Sequence, residues 1–197
     1  LMPILSILEE HGDEIIENCD SVILEVDIDK EIVKKVVQLC EKYDKKLYGV
    51  VSNMSIAVER RDFLRSFDCF ICNQLEAGIF FADDYSEKTP QELCDILTER
   101  LKVAKIPSMI VTMGAQGSVY ADDQGHCGYC PVQKVTVKDT TGAGDAFCAG
   151  AASALTYGKT LAEAVEIGTR LSASVITSSE NVCPRFQPEE FGINAER

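Results

Sequence analysis

Basic side chains are scarce in this sequence. Its 197 residues include 19 Lys and Arg against 32 Asp and Glu, so the formal net charge is −13 at pH 7. Proteins that bind a nucleic-acid backbone or an anionic membrane surface need clustered Lys and Arg to neutralise phosphates. The composition therefore argues against nucleic-acid and membrane partners. A phosphorylated ligand would have to be held locally, by backbone N–H groups and a divalent cation.

Long apolar runs are also missing. No segment is apolar for long enough to span a membrane, no signal-like apolar segment stands at the start, and there is neither an internal repeat nor a low-complexity linker. The nine cysteines are dispersed, and an odd, dispersed set is typical of free thiols in a reducing compartment. We therefore expect a cytoplasmic protein. Its ordinary globular composition, 46% hydrophobic and 26% charged, predicts a single domain over residues 1–197.

Apolar periodicity and turn residues predict strands that alternate with helices. Strands are predicted at residues 21–26, 46–52, 68–72, 108–112, 117–121 and 128–137. Helices are predicted at residues 4–18, from Asp29, at 58–67, from Thr89 to about Lys105, from the glycine-rich segment described below to Gly158, and from Thr160 to about Ser178. This alternation predicts an α/β fold in which a mostly parallel sheet carries helices on both faces. Ligands of such sheets bind beyond the carboxyl ends of the strands.

The segment D-T-T-G-A-G-D at residues 139–145 follows a strand-like run at 132–137 and opens a helix of small residues. A glycine-rich turn at a helix start directs several backbone N–H groups at one point, where the helix dipole favours negative charge. The pattern therefore predicts a phosphate site. A carboxylate at its mouth would repel a resting phosphate, so Asp145 needs a role of its own. A general base that takes the proton of an attacking hydroxyl group fits both observations.

Two other interpretations of this segment stay open from the residues alone. Asp145 could be a first-turn acid that only complements the helix dipole. The glycines could also belong to a dinucleotide-binding G-x-G-x-x-G motif, but Phe147 stands where that motif has its third glycine. A dinucleotide-dependent oxidoreductase is therefore disfavoured.

Two further segments directly follow predicted strands. Asn73 and Glu76 form N-x-x-E after the third strand, a spacing that is also that of a helix capping box. The segment T-M-G-A-Q-G that begins at Thr112 contains Gly114 and Gly117, and a plain β-turn would have the same glycines. All three candidate segments lie just past predicted strands, which favours one shared site.

Two Cys-x-x-Cys pairs, Cys69/Cys72 and Cys127/Cys130, raise the alternative of a zinc site. Positions i and i+3 of a strand point to opposite faces, so Cys69 and Cys72 are not expected to share a metal ion. Cys127 and Cys130 lie on a predicted turn beside His126 and keep that option open. Buried free thiols are nevertheless the commoner outcome.

Residues 139–145 match, position for position, the D-T-x-G-A-G-D signature of the ribokinase-like, phosphofructokinase-B-type sugar and nucleoside kinases. The sequence resembles this family from about Ser21 to Phe191, and the order and spacing of the three candidate segments agree with the family. The resemblance implies a three-layer ribokinase-like α/β fold. It also implies ATP-dependent phosphorylation of a hydroxymethyl group on a small-molecule sugar or nucleoside.

The same resemblance implies roles for individual residues. Asp145 would be the catalytic base. In the family arrangement Asn73 would lie near the phosphates of ATP and Glu76 near Mg²⁺. The N–H groups that would hold the transferred phosphoryl group belong to Gly142, Ala143 and Gly144. The residues that would line the nucleotide site are Asn73, Thr112, Gly114, Gly117 and Gly144. A K⁺ ion is often held near the start of the signature, where the candidates are Asp139, Thr141 and Glu180.

The resemblance covers only the later two-thirds of a typical family member. The first sheet strands, a small β lid and most sugar-contacting residues of the family have no counterpart, so a non-catalytic nucleotide-binding or truncated module is the alternative. Within the family, the tail at residues 177–184 favours the pseudouridine kinase subgroup, although Gly49 and Val50 replace the D-P of its D-P-V-S motif. A homodimer is compatible with these features, and the sequence leaves the oligomeric state open.

Overall fold

The computed structural model describes residues 2–179, 183 and 187–193. Within them, six strands form one sheet: β1 (Ser21–Glu25), β2 (Lys46–Val50), β3 (Cys69–Asn73), β4 (Ser108–Thr112), β5 (Ser118–Asp122) and β6 (Cys127–Cys130). Their order across the sheet is β1-β2-β3-β4-β5-β6. The first four strands are parallel, and β5 and β6 are antiparallel to their neighbours. The predicted mostly parallel sheet is therefore confirmed.

The helices alternate with the strands along the chain. They are α1 (Met2–Glu17), α2 (Lys30–Lys42), α3 (Met54–Val58), α4 (Arg61–Leu64), α5 (Gln74–Phe81), α6 (Pro90–Ala104), α7 (Ala143–Thr156) and α8 (Leu161–Ile176), with short 3-10 segments at Gly114–Gln116 and Pro188–Phe191. Thr89 and Thr160 begin α6 and α8 with complete capping boxes, as their sequences predict.

Two hydrophobic clusters, one on each face of the sheet, hold three layers together. The α6-side cluster joins the sheet to α1, α2, α5 and α6, and the α8-side cluster joins it to α7 and α8. Strand β3 shows the division, because Phe70 and Cys72 lie in the first cluster while Cys69 and Ile71 lie in the second. This alternation is the period of two that a strand imposes on its side chains. A strand buried on both faces reads as a continuous apolar run, which is how β3 and β4 are recognisable in the sequence.

Helices α7 and α8 approach each other closely because small residues line their contact. A Cβ atom at Gly168 would come within 2.8 Å of the Phe147 carbonyl oxygen, and one at Gly150 would lie 3.0 Å from the Gly168 Cα. The small residues after the D-T-T-G-A-G-D segment therefore allow α7 and α8 to pack closely.

Two predicted elements are wrong. The strand predicted at residues 128–137 ends at Cys130, because Pro131 has no N–H to continue the ladder, and residues 131–141 are exposed. The helix predicted at 58–67 is instead the separate helices α3 and α4. Arg60 between them leaves helical geometry, with φ −116° and ψ 22°, and its guanidinium donates to the carbonyl oxygens of Val26 and Ile28.

Candidate active site

The carboxyl ends of β1 to β4 lie along one edge of the sheet because these strands are parallel. The register pairs Asn73 at the end of β3 with Thr112 at the end of β4. A cavity of about 330 Å³ opens here, lined by Asn73, Gln74, Leu75, Ser86, Thr112, Met113 and Gly114. Two of the three predicted segments are therefore brought together where ligands of such sheets bind.

Asn73 and Glu76 form a complete capping box at the start of α5. The N–H of Glu76 donates to Asn73 Oδ1 at 2.9 Å, and the N–H of Asn73 donates to Glu76 Oε2 at 2.7 Å. Burial is the largest influence on the Glu76 carboxyl and raises its pKa; hydrogen bonds from Asn73 oppose the shift, and the charge of Asp27 adds to it. The N-x-x-E segment therefore forms the helix capping box that its spacing allows. The Glu76 carboxylate of that box also lies at the edge of the sheet.

The turn after β4 uses its two glycines differently. The Gly114 backbone has φ +55°, and a Cβ there would meet no atom within 4 Å, so this residue opens onto the cavity. Gly117 has φ +100°, and a Cβ there would collide with the Cys130 carbonyl oxygen. The N–H of Met113 donates to the Gly117 carbonyl at 2.7 Å and closes the turn. Thr112 and Gly114 therefore face the cavity, while Gly117 maintains the shape of the turn.

The start of the signature segment is tied to the end of α8. The N–H groups of Lys138 and Asp139 donate to the Ile176 carbonyl oxygen at 2.8 and 3.4 Å. Asp139 Oδ1 accepts from both the N–H and the hydroxyl of Thr141, each at 2.8 Å, and the N–H bond is the largest influence lowering the pKa of Asp139. The two predicted K⁺ contributors thus bind each other, and the third, Glu180, lies outside the described residues.

The first turn of α7 exposes a cluster of N–H groups. Gly142 precedes the helix with φ 79°, a left-handed conformation that glycine adopts without strain. The N–H of Ala143 donates to the Thr140 carbonyl at 3.2 Å, whereas no described residue accepts from the N–H of Gly142, Gly144 or Asp145. A Cβ at Gly144 would meet nothing within 4 Å. The N–H of Ala143, which was predicted to hold phosphate, is instead bonded to Thr140. The N–H of Asp145, which was not predicted, is available in its place.

The Asp145 side chain is exposed in this same turn and does not enter the core. One turn further along α7, burial chiefly raises the pKa of Cys148 to about 12, and the charges of Asp145 and Glu76 act on it next. The half-buried thiol therefore lies near both carboxylates. The charges of Asp145 on α7 and Glu76 on α5 therefore act on one thiol, although the two acids belong to different motifs.

Glu25 is a candidate site residue that the sequence analysis missed. A contact of 2.6 Å between Ser21 Oγ and Thr156 Oγ1 joins the start of β1 to the end of α7, so the helix runs back along the strand. Ser21 and Glu25 share one face of β1. Glu25 is exposed at the carboxyl end of β1, the edge of the sheet at which Asn73 and Thr112 also lie.

Asp27 is a second residue that was missed. Its carboxylate accepts N–H bonds from Ser52 at 3.2 Å and Asn53 at 2.8 Å, which ties the segment after β1 to the segment after β2. The Ser52 hydroxyl donates to the Glu25 carboxylate beside it. Glu25 is the last residue of β1 and Asp27 follows that strand, so both acids lie at the carboxyl end of a strand, as the other candidates do. The edge is therefore strongly acidic, and a phosphate ester bound there needs a cation between itself and these carboxylates.

The zinc alternative is not supported. In the described part of the chain, no three His, Cys, Asp or Glu side chains lie close enough together to hold a metal ion. Cys69 and Cys72 point to opposite faces of β3, as predicted, and Cys127 and Cys130 likewise divide between the two clusters. His126 pairs instead with an aspartate of β5. No helix within residues 2–179 or 187–193 has the length and apolarity that a membrane crossing requires.

Comparison with known proteins identifies the family of this chain. The model of the pfkB family carbohydrate kinases matches residues 8–184. The chain is 34% identical over 170 residues to guanosine-inosine kinase of Exiguobacterium acetylicum and 25% identical over 162 residues to ribokinase of Schizosaccharomyces pombe. These alignments cover 84% and 82% of this chain but 54% and 50% of the relatives, so the chain spans about half their length. Neither relative is a pseudouridine kinase, and that subgroup stays a proposal.

Solved structures show the same fold. A carbohydrate kinase from Agrobacterium tumefaciens superposes with a TM-score of 0.73 over 95% of this chain and 58% of its own, at 22% identity. Arabidopsis thaliana ribokinase, solved with ribose and ATP, superposes with a TM-score of 0.76 over 87% of this chain and 54% of its own, at 21% identity. The shared arrangement is the three-layer ribokinase-like fold. With the family match over most of its length, this chain belongs to the pfkB family of carbohydrate kinases.

Proposed function

We propose that this chain carries the phosphoryl-transfer site of an ATP-dependent kinase that acts on a hydroxymethyl group of a sugar or nucleoside. One observation carries the proposal: the exposed carboxylate of Asp145 lies in the same turn as the N–H groups of Gly142 and Gly144, for which the described part of the chain offers no acceptor. A base beside preorganised anion donors is the arrangement that phosphoryl transfer requires.

In the proposed reaction, Asp145 accepts the proton of the acceptor hydroxyl while the hydroxyl oxygen bonds to the γ-phosphorus of ATP. The bond from that phosphorus to the oxygen bridging the β-phosphate breaks, and its electron pair leaves with ADP. The N–H groups of Gly142, Gly144 and Asp145 donate to the oxygens of the migrating phosphoryl group. The proton on Asp145 then passes to solvent, to which this side chain is exposed.

Mg²⁺ fits the groups at the end of β3. Glu76 and Asn73 offer the oxygen donors that Mg²⁺ prefers, and they would hold it beside the phosphates. The acidity of this edge supports the assignment, because Asp27 already raises the pKa of Glu76 and a cation would relieve that repulsion. When bound, the ion neutralises charge on the transferring phosphate. For K⁺, Asp139 and Thr141 stay the proposed contributors.

The cavity beside Thr112 and Gly114 is the proposed nucleotide site. Its volume of about 330 Å³ lies at the small end of the range for small-molecule cavities. Asn73 lines the same cavity, so a nucleotide there would have its phosphates next to the proposed metal position. Because Gly114 has no side chain, a nucleotide could approach the backbone closely at that residue. Gly117 lets the turn pack against β6.

Purine nucleosides are the first acceptors to test. The relative with 34% identity over 84% of this chain is a guanosine-inosine kinase. Glu25, which is exposed at the end of β1, would accept hydrogen bonds from hydroxyl groups of the acceptor molecule. Pseudouridine, ribose and fructose derivatives are the further candidates, because the resemblance of the tail and the family name point to them.

A non-catalytic nucleotide-binding module is the second candidate function. The observation that favours it is length, since the chain spans about half of the length of its relatives. Such a module would bind ATP through the same N–H cluster and cavity but would not transfer the phosphoryl group.

The test compares ATP binding by calorimetry with ADP release in the presence of Mg²⁺ and each acceptor. We expect Asp145→Asn to keep ATP affinity while turnover falls by roughly 10²–10⁴-fold, the usual loss when a general base is removed. Glu163→Gln is the matched control, because Glu163 occupies the same third position of α8 that Asp145 occupies in α7. Its turnover should stay at the wild-type level.

Each result separates the candidates. ATP binding with turnover that depends on residue 145 supports the kinase, and ATP binding without turnover on any acceptor supports the module. Full turnover in Asp145→Asn excludes this side chain as the base. Absence of ATP binding contradicts both functions.

A further inference from the structure

Cys127 and Cys130 point away from each other across β6. The register places Cys127 opposite Ala121, which is fully buried in the α6-side cluster, and Cys127 packs on that cluster. Directly opposed residues of antiparallel strands share a face. Cys130 Sγ lies instead 3.6 Å from Thr169 Oγ1 on α8. Of these two thiols, Cys127 is therefore the one that faces α6.

Cys94 lies on the face of α6 that packs against β6. Its side chain is only 2% exposed, and its Sγ donates to the carbonyl oxygen of Gly128, the residue after Cys127, at 3.3 Å. Burial first, and the neighbouring Cys127 thiol second, raise the pKa of Cys94 to about 12. Two thiols that are distant in sequence are therefore neighbours across the contact between a helix and an edge strand.

We propose that Cys94 and Cys127 form a reversible disulfide bond that joins α6 to β6 when the protein meets a peroxide. The proposal is independent of the kinase assignment, because it uses neither ATP nor Asp145. Both residues are free thiols in the reduced protein. The half-buried Cys127, on the outermost strand of the sheet, is the thiol that an oxidant can reach.

The chemistry needs hydrogen peroxide as the only co-reactant. The Cys127 sulfur attacks one peroxide oxygen, the O–O bond breaks, and a sulfenic acid and one water form. The Cys94 sulfur then attacks the sulfenic sulfur, the S–O bond breaks, and a second water leaves with the Cys94 proton. The two thiols together lose two electrons and two protons, and a thiol reductant restores them.

The bond would close a loop that contains β4, the turn with Thr112 and Gly114, and β5. Closing a loop stabilises a protein chiefly by restricting its unfolded chain. We expect Tm to rise by roughly 5–10 °C, given the usual size of that effect and a domain of this length. Oxidation would thereby fix the frame around the proposed nucleotide cavity.

The experiment treats the 197-residue protein with hydrogen peroxide, blocks the remaining thiols, digests without reductant and identifies linked peptides by mass spectrometry. We expect a peptide with Cys94 joined to one with Cys127, together with the rise in Tm, and both should reverse with dithiothreitol. Cys127→Ser should abolish both effects. Cys130→Ser is the matched control, since it removes a half-buried thiol of the same strand that faces α8, and it should retain both effects.

Three results overturn the proposal: no Cys94–Cys127 peptide after peroxide treatment, a preferred link of Cys94 to another cysteine, or a persistent Tm rise in Cys127→Ser. Circular dichroism of the reduced variants establishes that each one folds. If Cys127→Ser does not fold, Cys94→Ala replaces it and must equally abolish the link.

Discussion

Glu76 and Asn73 are joined by reciprocal hydrogen bonds, and the charge of Asp27 contributes to the raised pKa of the Glu76 carboxyl. The capping box and the proposed Mg²⁺ site therefore make different demands on one side chain. Glutamine preserves a capping box because its amide oxygen also accepts a backbone N–H. It cannot supply the negative charge that a metal ligand provides.

We expect Glu76→Gln to fold as stably as the wild type at pH 7 and to lose Mg²⁺-dependent ATP affinity. Glu76→Ala should lose the cap as well, at a cost of about 1 kcal/mol in the free energy of unfolding. Urea denaturation and calorimetry measure the two effects separately. If Glu76→Gln binds Mg²⁺-ATP normally, the residue serves only as a cap.

The pH dependence of that comparison has a defined sign. The pKa of Glu76 is raised in the folded protein, so the folded state binds this proton more tightly than the unfolded chain. The associated stability is present below the unfolded pKa and is lost as the pH rises through the folded value. The stability of Glu76→Gln relative to that of the wild type should therefore increase as the pH rises from the unfolded pKa of about 4 through the folded pKa, and it should reach parity by pH 7. A gain in the opposite direction would contradict the shift.

At the scale of elements, the two glycines of the β4–β5 turn, Gly114 and Gly117, have different structural roles. Both have positive φ, but only at Gly117 would a Cβ meet backbone, the carbonyl of Cys130. The close approach of that turn to β6 depends on this one missing side chain.

Gly117→Ala should therefore destabilise the protein by roughly 3 kcal/mol, because it adds a backbone collision to left-handed strain. Gly114→Ala is the paired variant, with strain but no collision, and should cost only about 1 kcal/mol. Chemical denaturation of both variants tests the difference. Equal losses would mean that φ alone, and not the approach to Cys130, requires the glycine.

The elements that sequence predicts well are those whose signal is local. Residues 108–112 form β4 as predicted, because a buried parallel strand is a continuous apolar run. The run at 132–137 has similar β-branched residues, but none of the strands in the described residues pairs with it, and propensity without a partner does not make a strand. The break at Arg60 depends on carbonyls more than thirty residues away, Val26 and Ile28, which no local pattern reveals.

The candidate site divides in the same way. The shared edge of Asn73 and Thr112 follows from strand order, since each residue ends a strand that was predicted. The signature turn has no such support, because the strand predicted directly before it ends at Cys130. Glu25 and Asp27 were not predicted because isolated acids belong to no motif, although Asp27 directly follows the strand predicted at residues 21–26. The engaged N–H of Ala143 could not be foreseen, because it depends on how Thr140 turns within an irregular loop.

At the scale of the whole molecule, a net charge of −13 opposes the approach of any free anion. The proposed cytoplasmic kinase, as a monomer or a homodimer, would meet ATP mainly as its Mg²⁺ complex. The N–H cluster of α7 acts only over short range. Affinity for the nucleotide should therefore depend on the metal more strongly than its contacts alone suggest.

Removal of Mg²⁺ with EDTA should weaken ATP binding at least about tenfold, or ~1.4 kcal/mol. The loss should shrink as salt screens the protein's field. Adenosine, which is uncharged, is the control and should bind equally with and without the metal. Calorimetry at two ionic strengths tests this, and metal-independent ATP affinity would rule out a cation bridge at the acidic sheet edge.

Gly142, Gly144 and Asp145 follow one another within a single turn, so covalent geometry sets the spacing between the proposed proton acceptor and the phosphate donors. Rigid-body motion of α7 would displace both groups together and leave that spacing unchanged. The adjustable coordinate is the separation between this turn and whatever molecule supplies the hydroxyl. Substitutions that change substrate preference can therefore alter the residues around the acceptor while the spacing between the base and the N–H donors stays the same.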